Sequence, residues 1–235
     1  MSDHMKRLAA PRSWPIKRKS SVWTAKQSPG AHSVENSMPA VTILRDMIGV
    51  CDTAREAKRI IGNREVLVDG KPVKSPKEPV GIMDVISIPK MNVHYRILLT
   101  DKGKLTATKI AEDRSTWTLC RIEGKTILKG GKYQINMSGG RNIILDKDEY
   151  KTGDTLKINF GDQKVLAHYG LVAGASAMII EGVHAGKAET VSEYLITKSN
   201  GANVVKFEGG AETVKKNVFV IGGKKPEIIL PGASE

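Results

Sequence analysis

The chain has 235 residues, of which 40% are hydrophobic and 26% are charged, a composition that excludes wholesale disorder and coiled coil. Its 37 Lys and Arg residues outnumber its 25 Asp and Glu residues, so the net charge of +12 favours a polyanionic partner, with nucleic acid first. The sequence contains no apolar stretch long enough for a membrane span, and its basic N-terminus lacks the apolar segment of a signal peptide. It therefore predicts a cytoplasmic protein without a membrane partner.

The residues that metal sites and catalysis require do not occur in the necessary patterns. Cys51 and Cys120 lie far apart without a CxxC motif, and they are expected to be buried free thiols in a reducing compartment. The five histidines form no HExxH motif, and neither GxSxG nor a complete Walker loop occurs. The acidic residues Asp146, Asp148 and Glu149 are interpreted as a solvated turn. The sequence thus predicts no catalytic residue, no metal, no cofactor and no small-molecule substrate.

A basic arm is assigned to residues 1–39. Its first 36 positions carry seven basic and two acidic residues, and prolines interrupt any helical period. Such a segment cannot bury enough apolar surface alone, so it is expected to become ordered on a partner. Its two tryptophans either fasten the arm to the protein's own body or stack on bases beside phosphate contacts. The arm residues predicted to bind RNA are Lys6, Arg7, Arg12, Trp14, Lys17, Arg18, Lys19 and Trp23.

Residues 40–92 show the pattern of a small domain with two helices and a hairpin. Apolar residues at helical spacing precede Gly49, a predicted C-cap, and a capping box begins a second helix over 53–62. The dipeptide Asp69-Gly70 predicts a tight turn, and a further strand is predicted over 84–88. Helix, hairpin and closing strand in this order resemble the αL-type RNA-binding domain of several ribosomal and RNA-modifying proteins.

The second helix of this domain has a basic face. Arg55 and Arg59 are one helical turn apart, so their guanidinium groups can straddle successive phosphates. A solvated helix face is the alternative, and it usually explains an isolated run of charges. Here the helix is followed directly by a hairpin, and this combination favours RNA binding over a solvated helix face. The residues of this domain predicted to bind RNA are Arg55, Lys58, Arg59, Asn63, Arg64, Lys71 and Lys74.

Beyond residue 92, short apolar runs alternate with glycine-rich or charged turns, which predicts small β domains over 93–172 and 173–235. The segment 177–191 is similar to a KOW motif, the RNA-contacting loop of an SH3-like barrel. That pattern expects a second glycine where Glu189 stands, so an ordinary β-turn without RNA contact remains an alternative. The RNA-binding residues predicted for this half are Arg141, His184, Gly186 and Lys187.

Several blocks of sequence together resemble the archaeal and eukaryotic type of small-subunit ribosomal protein four, called the e family. The blocks are KRLAAPRSWPI over 6–16, SPGAHS over 28–33, GGRN over 139–142, YKTGD over 150–154 and VFVIG over 218–222. The resemblance implies a structural constituent of the small ribosomal subunit that binds and stabilises folded ribosomal RNA. It also implies contact with the 5′ domain of that RNA and with neighbouring ribosomal proteins, and it suggests an archaeal source.

The predicted fold is therefore α+β and multidomain, with a basic N-terminal arm, an αL-type RNA-binding domain, a central small β domain and a KOW/SH3-like β barrel. Two other functions are compatible with single modules. An RNA-modifying enzyme would use the αL domain to deliver RNA, but it would need a catalytic domain after residue 92. A transcription factor would use the KOW barrel to bind polymerase, and it would not co-sediment with ribosomal subunits.

Overall fold

The computed structural model describes residues 3–231, which form two compact units. The first unit contains the chain up to Leu98 together with Lys104–Thr118, and the second contains Leu99–Gly103 and the chain from Leu119 onward. Over residues 3–231, no helix combines the length and the apolar character that crossing a membrane requires.

The elements of the first 110 residues are two short helices and nine strands in the described part of the chain. Helix α1 (Ala40–Thr42) continues directly into a π-helical segment, Ile43–Ile48, and α2 spans Ala54–Gly62. The strands are β1 (His4–Lys6), β2 (Trp23–Ala25), β3 (Ser37–Pro39), β4 (Leu67–Val68), β5 (Lys71–Pro72), β6 (Pro79–Gly81), β7 (Val85–Ile88), β8 (Val93–Leu99) and β9 (Leu105–Ile110). Short 3-10 turns lie at Arg7–Ala9 and Pro89–Met91.

Both predicted helices form, the first ending at its predicted cap and the second beginning at its predicted capping box. Gly49 adopts a left-handed conformation with φ of 74°, so it ends the π-helical segment as a C-cap. At the start of α2, the Glu56 amide donates to Thr53 Oγ1 at 3.3 Å, and the Thr53 amide donates to the Glu56 carboxylate at 3.3 Å. This is the predicted capping box. Ala57 and Ile61 are buried, which turns the opposite face of α2 toward solvent.

The first unit is built around a five-stranded sheet in the order β5-β4-β7-β8-β9. The turn between β4 and β5 has Asp69 at φ of 51° and Gly70 at φ of 76°, which is the type I′ geometry that this dipeptide favours. Strand β8 pairs antiparallel with β7, with Arg96 opposite Val85. The sheet therefore continues across residue 92, where the sequence suggested a boundary.

The arm is folded over its described residues, so the expectation that it becomes ordered only on a partner is wrong for them. Strand β1 pairs antiparallel with β2, and β3 pairs with β6. Thr24 and Ser37, which lie in two of these strands, are buried. The apolar surface that the arm lacks comes from the domain that follows it, a contribution that local composition does not reveal.

The second half of the chain is almost entirely β structure. Its strands are β10 (Trp117–Ile127), β11 (Tyr133–Met137), β12 (Arg141–Leu145), β13 (Thr155–Asn159), β14 (Val165–Tyr169), β15 (Ser176–Ile179), β16 (Ala188–Leu195), β17 (Val204–Phe207), β18 (Glu212–Val214) and β19 (Val218–Gly222). Further 3-10 turns lie at Glu112–Arg114, Ser138–Gly140 and Lys215–Asn217. The many short strands agree with the alternation of apolar runs and turns that the sequence shows beyond residue 92.

Two five-stranded sheets form the second unit, in the orders β12-β11-β10-β13-β14 and β18-β17-β16-β15-β19. Each has its own apolar core, one around Ile122, Ile135 and Ile158, and one around Ala177 and Val220. The α+β, multidomain character predicted from the sequence is therefore confirmed, with most of the structure in strands.

Both cysteines are buried and free, as predicted. Burial raises the pKa of the Cys51 thiol, so this side chain stays protonated and unreactive at neutral pH.

Candidate nucleic-acid interface

The exposed face of α2 carries three cations, Arg55, Lys58 and Arg59, which we call the α2 basic face. None of the three makes an ion pair or a side-chain hydrogen bond to another residue in the described part of the chain. The buried Ala57 and Ile61 on the opposite side hold the helix in this orientation. The cations therefore remain available to an external anion.

The turn after α2 adds further polar groups next to this face. The Asn63 side-chain amide donates to the Glu65 carboxylate at 3.1 Å, and Lys90 Nζ lies 2.6 Å from the same carboxylate. The Lys90 hydrogen bond, followed by the one from Asn63, lowers the pKa of Glu65. Arg64 is exposed and has a left-handed backbone with φ of 57°.

The hairpin that follows supplies the remaining predicted cations of this domain. Lys71 and Lys74 are both exposed, and neither side chain makes an ion pair or a hydrogen bond within residues 3–231. The Lys74 backbone amide donates to the Glu78 carboxylate at 3.0 Å. The structure therefore brings helix, turn and hairpin together in the first unit, as the sequence predicted.

Trp14 does not belong to this surface. Its side chain is 2% exposed, and its indole N–H donates to the carbonyl oxygens of Ser37 at 2.8 Å and Val34 at 3.3 Å. The prediction that Trp14 stacks on bases is therefore wrong, because its indole is buried and its N–H is bonded to carbonyls within the arm. A buried indole needs a partner for its single donor, and backbone carbonyls provide it here.

Two predicted RNA-binding arginines also serve the fold of the arm. Arg7 is 7% exposed, its Nε donates to the Lys17 carbonyl at 2.5 Å, and its Nη2 lies 3.5 Å from Asp46. Arg18 donates to the carbonyls of Ala10 at 2.7 Å and Pro11 at 2.8 Å. The guanidinium donors of both residues satisfy carbonyls of a segment with little regular structure. The prediction for the buried Arg7 is therefore wrong, whereas RNA contact by the half-buried Arg18 stays a prediction.

Four of the five remaining basic residues of the arm are exposed, namely Lys6, Arg12, Lys17 and Lys19, and the fifth, Lys26, is half-buried. Trp23 is 52% exposed, and its ring lies edge-on to His4 with the two centroids 4.8 Å apart. The two tryptophans of one arm thus have opposite environments. RNA contact by Trp23 and by the exposed cations stays a prediction.

In the second unit, Gly186 is buried and packs against the backbone of Thr100. A Cβ atom at position 186 would lie 1.8 Å from the Thr100 carbonyl oxygen, and φ is +93°. The prediction that Gly186 contacts RNA is therefore wrong. Glycine is needed here because two backbone segments approach each other more closely than a side chain permits.

The remaining loop residues differ from one another. Lys187 is exposed and His184 is half-buried. Glu189, which stands where the family pattern expects glycine, lies in β16 opposite Ala177 and not in the turn. Its backbone is extended, and the left-handed positions are Gly182 and Gly186, so no glycine is needed at 189. Arg141 lies in β12, with its guanidinium 5.3 Å from the centre of the Phe160 ring.

Sequence reasoning missed a cleft in the first unit, which we call the arm cleft. It has a volume of about 740 Å³, and its wall includes Arg7, Trp23, Arg45, Asp46, Lys58 and Lys77. These residues come from the arm, from the π-helical segment, from α2 and from the loop before β6. No local motif signals the cleft, since its parts are distant in sequence and only the tertiary fold assembles them.

A capped helix with an exposed cationic face beside a tight hairpin is typical of RNA-binding domains, and the S4 domain model matches residues 38–86. The RS4NT domain matches residues 1–35, and the model named Ribosomal family S4e matches residues 91–165. The three matches follow one another along the chain and cover most of it.

Curated relatives match over nearly the whole chain. Small ribosomal subunit protein eS4 of Methanosphaera stadtmanae is 47% identical over 97% of this chain and 96% of its own. The proteins of the same name from Methanothermobacter thermautotrophicus and Archaeoglobus fulgidus are 42% and 40% identical, each over 97% of this chain. The crystal structure of 30S ribosomal protein S4e from Thermoplasma acidophilum is 35% identical, with a TM-score of 0.71 over 80% of this chain and 96% of that one. The chain belongs to the eS4 family, so the resemblance predicted from the sequence is confirmed.

Proposed function

We propose that this chain is a structural, non-catalytic constituent of the small ribosomal subunit and that it binds and stabilises folded small-subunit ribosomal RNA. The observation that carries the proposal is the 47% identity, over nearly the full length of both chains, to a small ribosomal subunit protein. Membership of this family favours the ribosomal role over an RNA-modifying enzyme or a transcription factor. The exposed α2 basic face supplies the chemistry, because unpaired guanidinium groups bind phosphate through charge-assisted hydrogen bonds.

The α2 basic face, with the adjoining turn and hairpin, is the main RNA contact in this proposal. Arg55 and Arg59 are held one turn apart on a capped helix, so they lose little conformational freedom when they bind. Lys58 lies between them in sequence and adds a third cation. The exposed or half-buried residues that we assign to RNA contact are Lys6, Arg12, Lys17, Arg18, Lys19, Trp23, Arg55, Lys58, Arg59, Asn63, Arg64, Lys71, Lys74, Arg141, His184 and Lys187.

In this proposal the regions of the chain have different roles. The arm, over 1–39, and residues 40–92 bind RNA, and residues 173–235 act as a KOW/SH3-like barrel. Residues 93–172 hold the central β region, except that β8 and β9 belong to the sheet of the first unit. In the barrel, the exposed Lys187 supports a minor contact with RNA. We assign the 5′ domain of the ribosomal RNA as the binding partner, and neighbouring ribosomal proteins as further contacts.

Binding to separate transcripts of the 5′ and 3′ domains of small-subunit ribosomal RNA tests this proposal. We expect preference for the 5′ transcript, with log K falling linearly against log[salt] by about 0.7–0.9 per phosphate contact. Equal affinity for both transcripts would contradict the assignment of the 5′ domain. An affinity that does not respond to salt would contradict binding through phosphates.

A further inference from the structure

The arm cleft has the features of a ligand site and not only of a surface groove. Its volume of about 740 Å³ lies within the range of roughly 300–1,000 Å³ that is usual for small-ligand pockets. Trp23 lines it with an indole that is 52% exposed, a large apolar area to leave in water. An aromatic ring of this kind offers a flat face on which a planar group can stack.

The charges in the wall favour an anion. Four cationic and two acidic side chains line the cleft, and both acidic groups are engaged by cations. Asp46 accepts two hydrogen bonds from Arg45, at 2.8 and 2.9 Å, and Asp3 lies 2.5 Å from Lys77 Nζ. Lys58 is exposed and has no ion pair or hydrogen bond within residues 3–231. It is therefore the cation available to a ligand phosphate.

Two threonines of the wall place their hydroxyl groups beneath its surface. Thr24 is 4% exposed and Thr42 is 1% exposed, and the hydroxyl oxygens of both are buried without a partner among the described residues. A buried hydroxyl without a partner costs free energy. The wall is thus polar as well as cationic, with one aromatic face.

We propose that the arm cleft holds one unpaired nucleotide of the bound ribosomal RNA, with its base stacked on Trp23 and its phosphate next to Lys58. This inference rests on the proposed function and specifies where a base, and not only the backbone, is recognised. RNA-binding proteins commonly recognise unpaired nucleotides by stacking them on aromatic side chains.

The position of Lys58 argues for a nucleotide within a strand and against a free one. Lys58 belongs both to the wall of the cleft and to the α2 basic face, between Arg55 and Arg59 in sequence. A strand whose phosphates follow this face therefore passes the mouth of the cleft. One nucleotide of that strand enters, while its neighbours stay on the helix.

The test compares Trp23→Ala and Trp23→Phe in the full-length protein, with a transcript of the complete small-subunit ribosomal RNA as the probe. We expect Trp23→Ala to weaken binding by about tenfold or more, because it removes a base-stacking contact. The salt dependence should not change, since no charge is lost. Chemical probing should show one unpaired nucleotide that becomes reactive with Trp23→Ala and stays protected with Trp23→Phe.

The outcomes separate this inference from the proposed function. If Trp23→Ala binds like the wild type and exposes no nucleotide, while Arg55→Ala with Arg59→Ala loses affinity, the cleft inference fails and the proposed function stands. If the wild type does not bind the transcript at all, the proposed function itself fails. If adenosine monophosphate binds the cleft and does not compete with the transcript, the cleft is a small-ligand site and the inference is overturned.

Discussion

Helix α2 and the loop over 180–187 both carry cations that the sequence pattern assigned to RNA, yet the two regions hold them differently. On α2, a capping box and two buried side chains hold the helix while its cations point outward. In the loop, the glycine of the predicted motif is buried against Thr100, and Lys187 remains as the exposed cation. An RNA-binding pattern in sequence therefore combines residues that contact the ligand with residues that only shape the backbone.

The largest effect that this comparison predicts is on RNA affinity. Arg55→Ala with Arg59→Ala should weaken binding to small-subunit ribosomal RNA by several kcal/mol, at about 1.5–3 kcal/mol for each charge-assisted contact. Filter binding at fixed salt measures the loss. Lys224→Ala with Lys225→Ala removes the same charge from exposed positions of the second unit and serves as the matched control. An equal loss in both variants would mean that only net charge matters and that α2 has no special role.

The next effect concerns stability. Gly186→Ala should destabilise the protein by about 2–5 kcal/mol, because the new methyl group meets the Thr100 carbonyl and the backbone is left-handed. Gly130→Ala is the control, since Gly130 has φ of +87° with nothing within 4 Å. It should lose only about 1–2 kcal/mol, the cost of the left-handed conformation. Thermal unfolding of both variants gives the difference, and equal losses would refute the steric role of Gly186.

A smaller effect on the free energy of unfolding is expected from substitutions at the start of α2. Thr53→Ala should lower the free energy of unfolding by about 1 kcal/mol, whereas Thr53→Ser should keep the cap. The hydrogen bonds from Thr53, then from Asp52, hold the pKa of Glu56 below its ordinary value of 4.5. A lowered pKa in the folded state means that this stabilisation is present above pH 4.5 and is lost as the pH falls through the folded-state value.

The pH dependence therefore gives an internal check on the cap. The difference in stability between wild type and Glu56→Gln, measured by urea unfolding, should narrow as the pH is lowered below 4.5, because only the ionised carboxylate strengthens the hydrogen bonds from the Asp52 and Thr53 amides. A difference that stays constant over that range would show that the Glu56 carboxylate does not contribute to the cap.

The smallest effect is expected for Lys187→Ala, at about 1 kcal/mol or less of RNA affinity, because an exposed lysine on a loop acts as a single flexible point charge. Binding of the same transcript used for the α2 variants measures it. If this substitution proves more damaging than the loss of Arg55 and Arg59, the loop and not the helix is the main RNA anchor.

Local sequence determined those features of the protein that local physics controls. Thr53 and Glu56 cap α2 through their own backbone amides, Asp69-Gly70 adopts the left-handed turn that few other residues tolerate, and alternating apolar residues mark strands such as β11 and β13. The family, too, could be identified from sequence blocks. Each of these signals involves residues that are near one another along the chain.

The tertiary structure alone decided which of the predicted RNA-binding residues are free to bind. Trp14 and Trp23 are both tryptophans among basic residues. They differ because the Trp14 indole packs against the Ser37 and Val34 carbonyls, to which its N–H donates. Arg7 is directed into the arm by a carbonyl ten residues away, and Gly186 is enclosed by Thr100. Whether a polar side chain faces solvent or the protein depends on which distant backbone groups need a hydrogen-bond partner, and those groups meet only when the chain is folded.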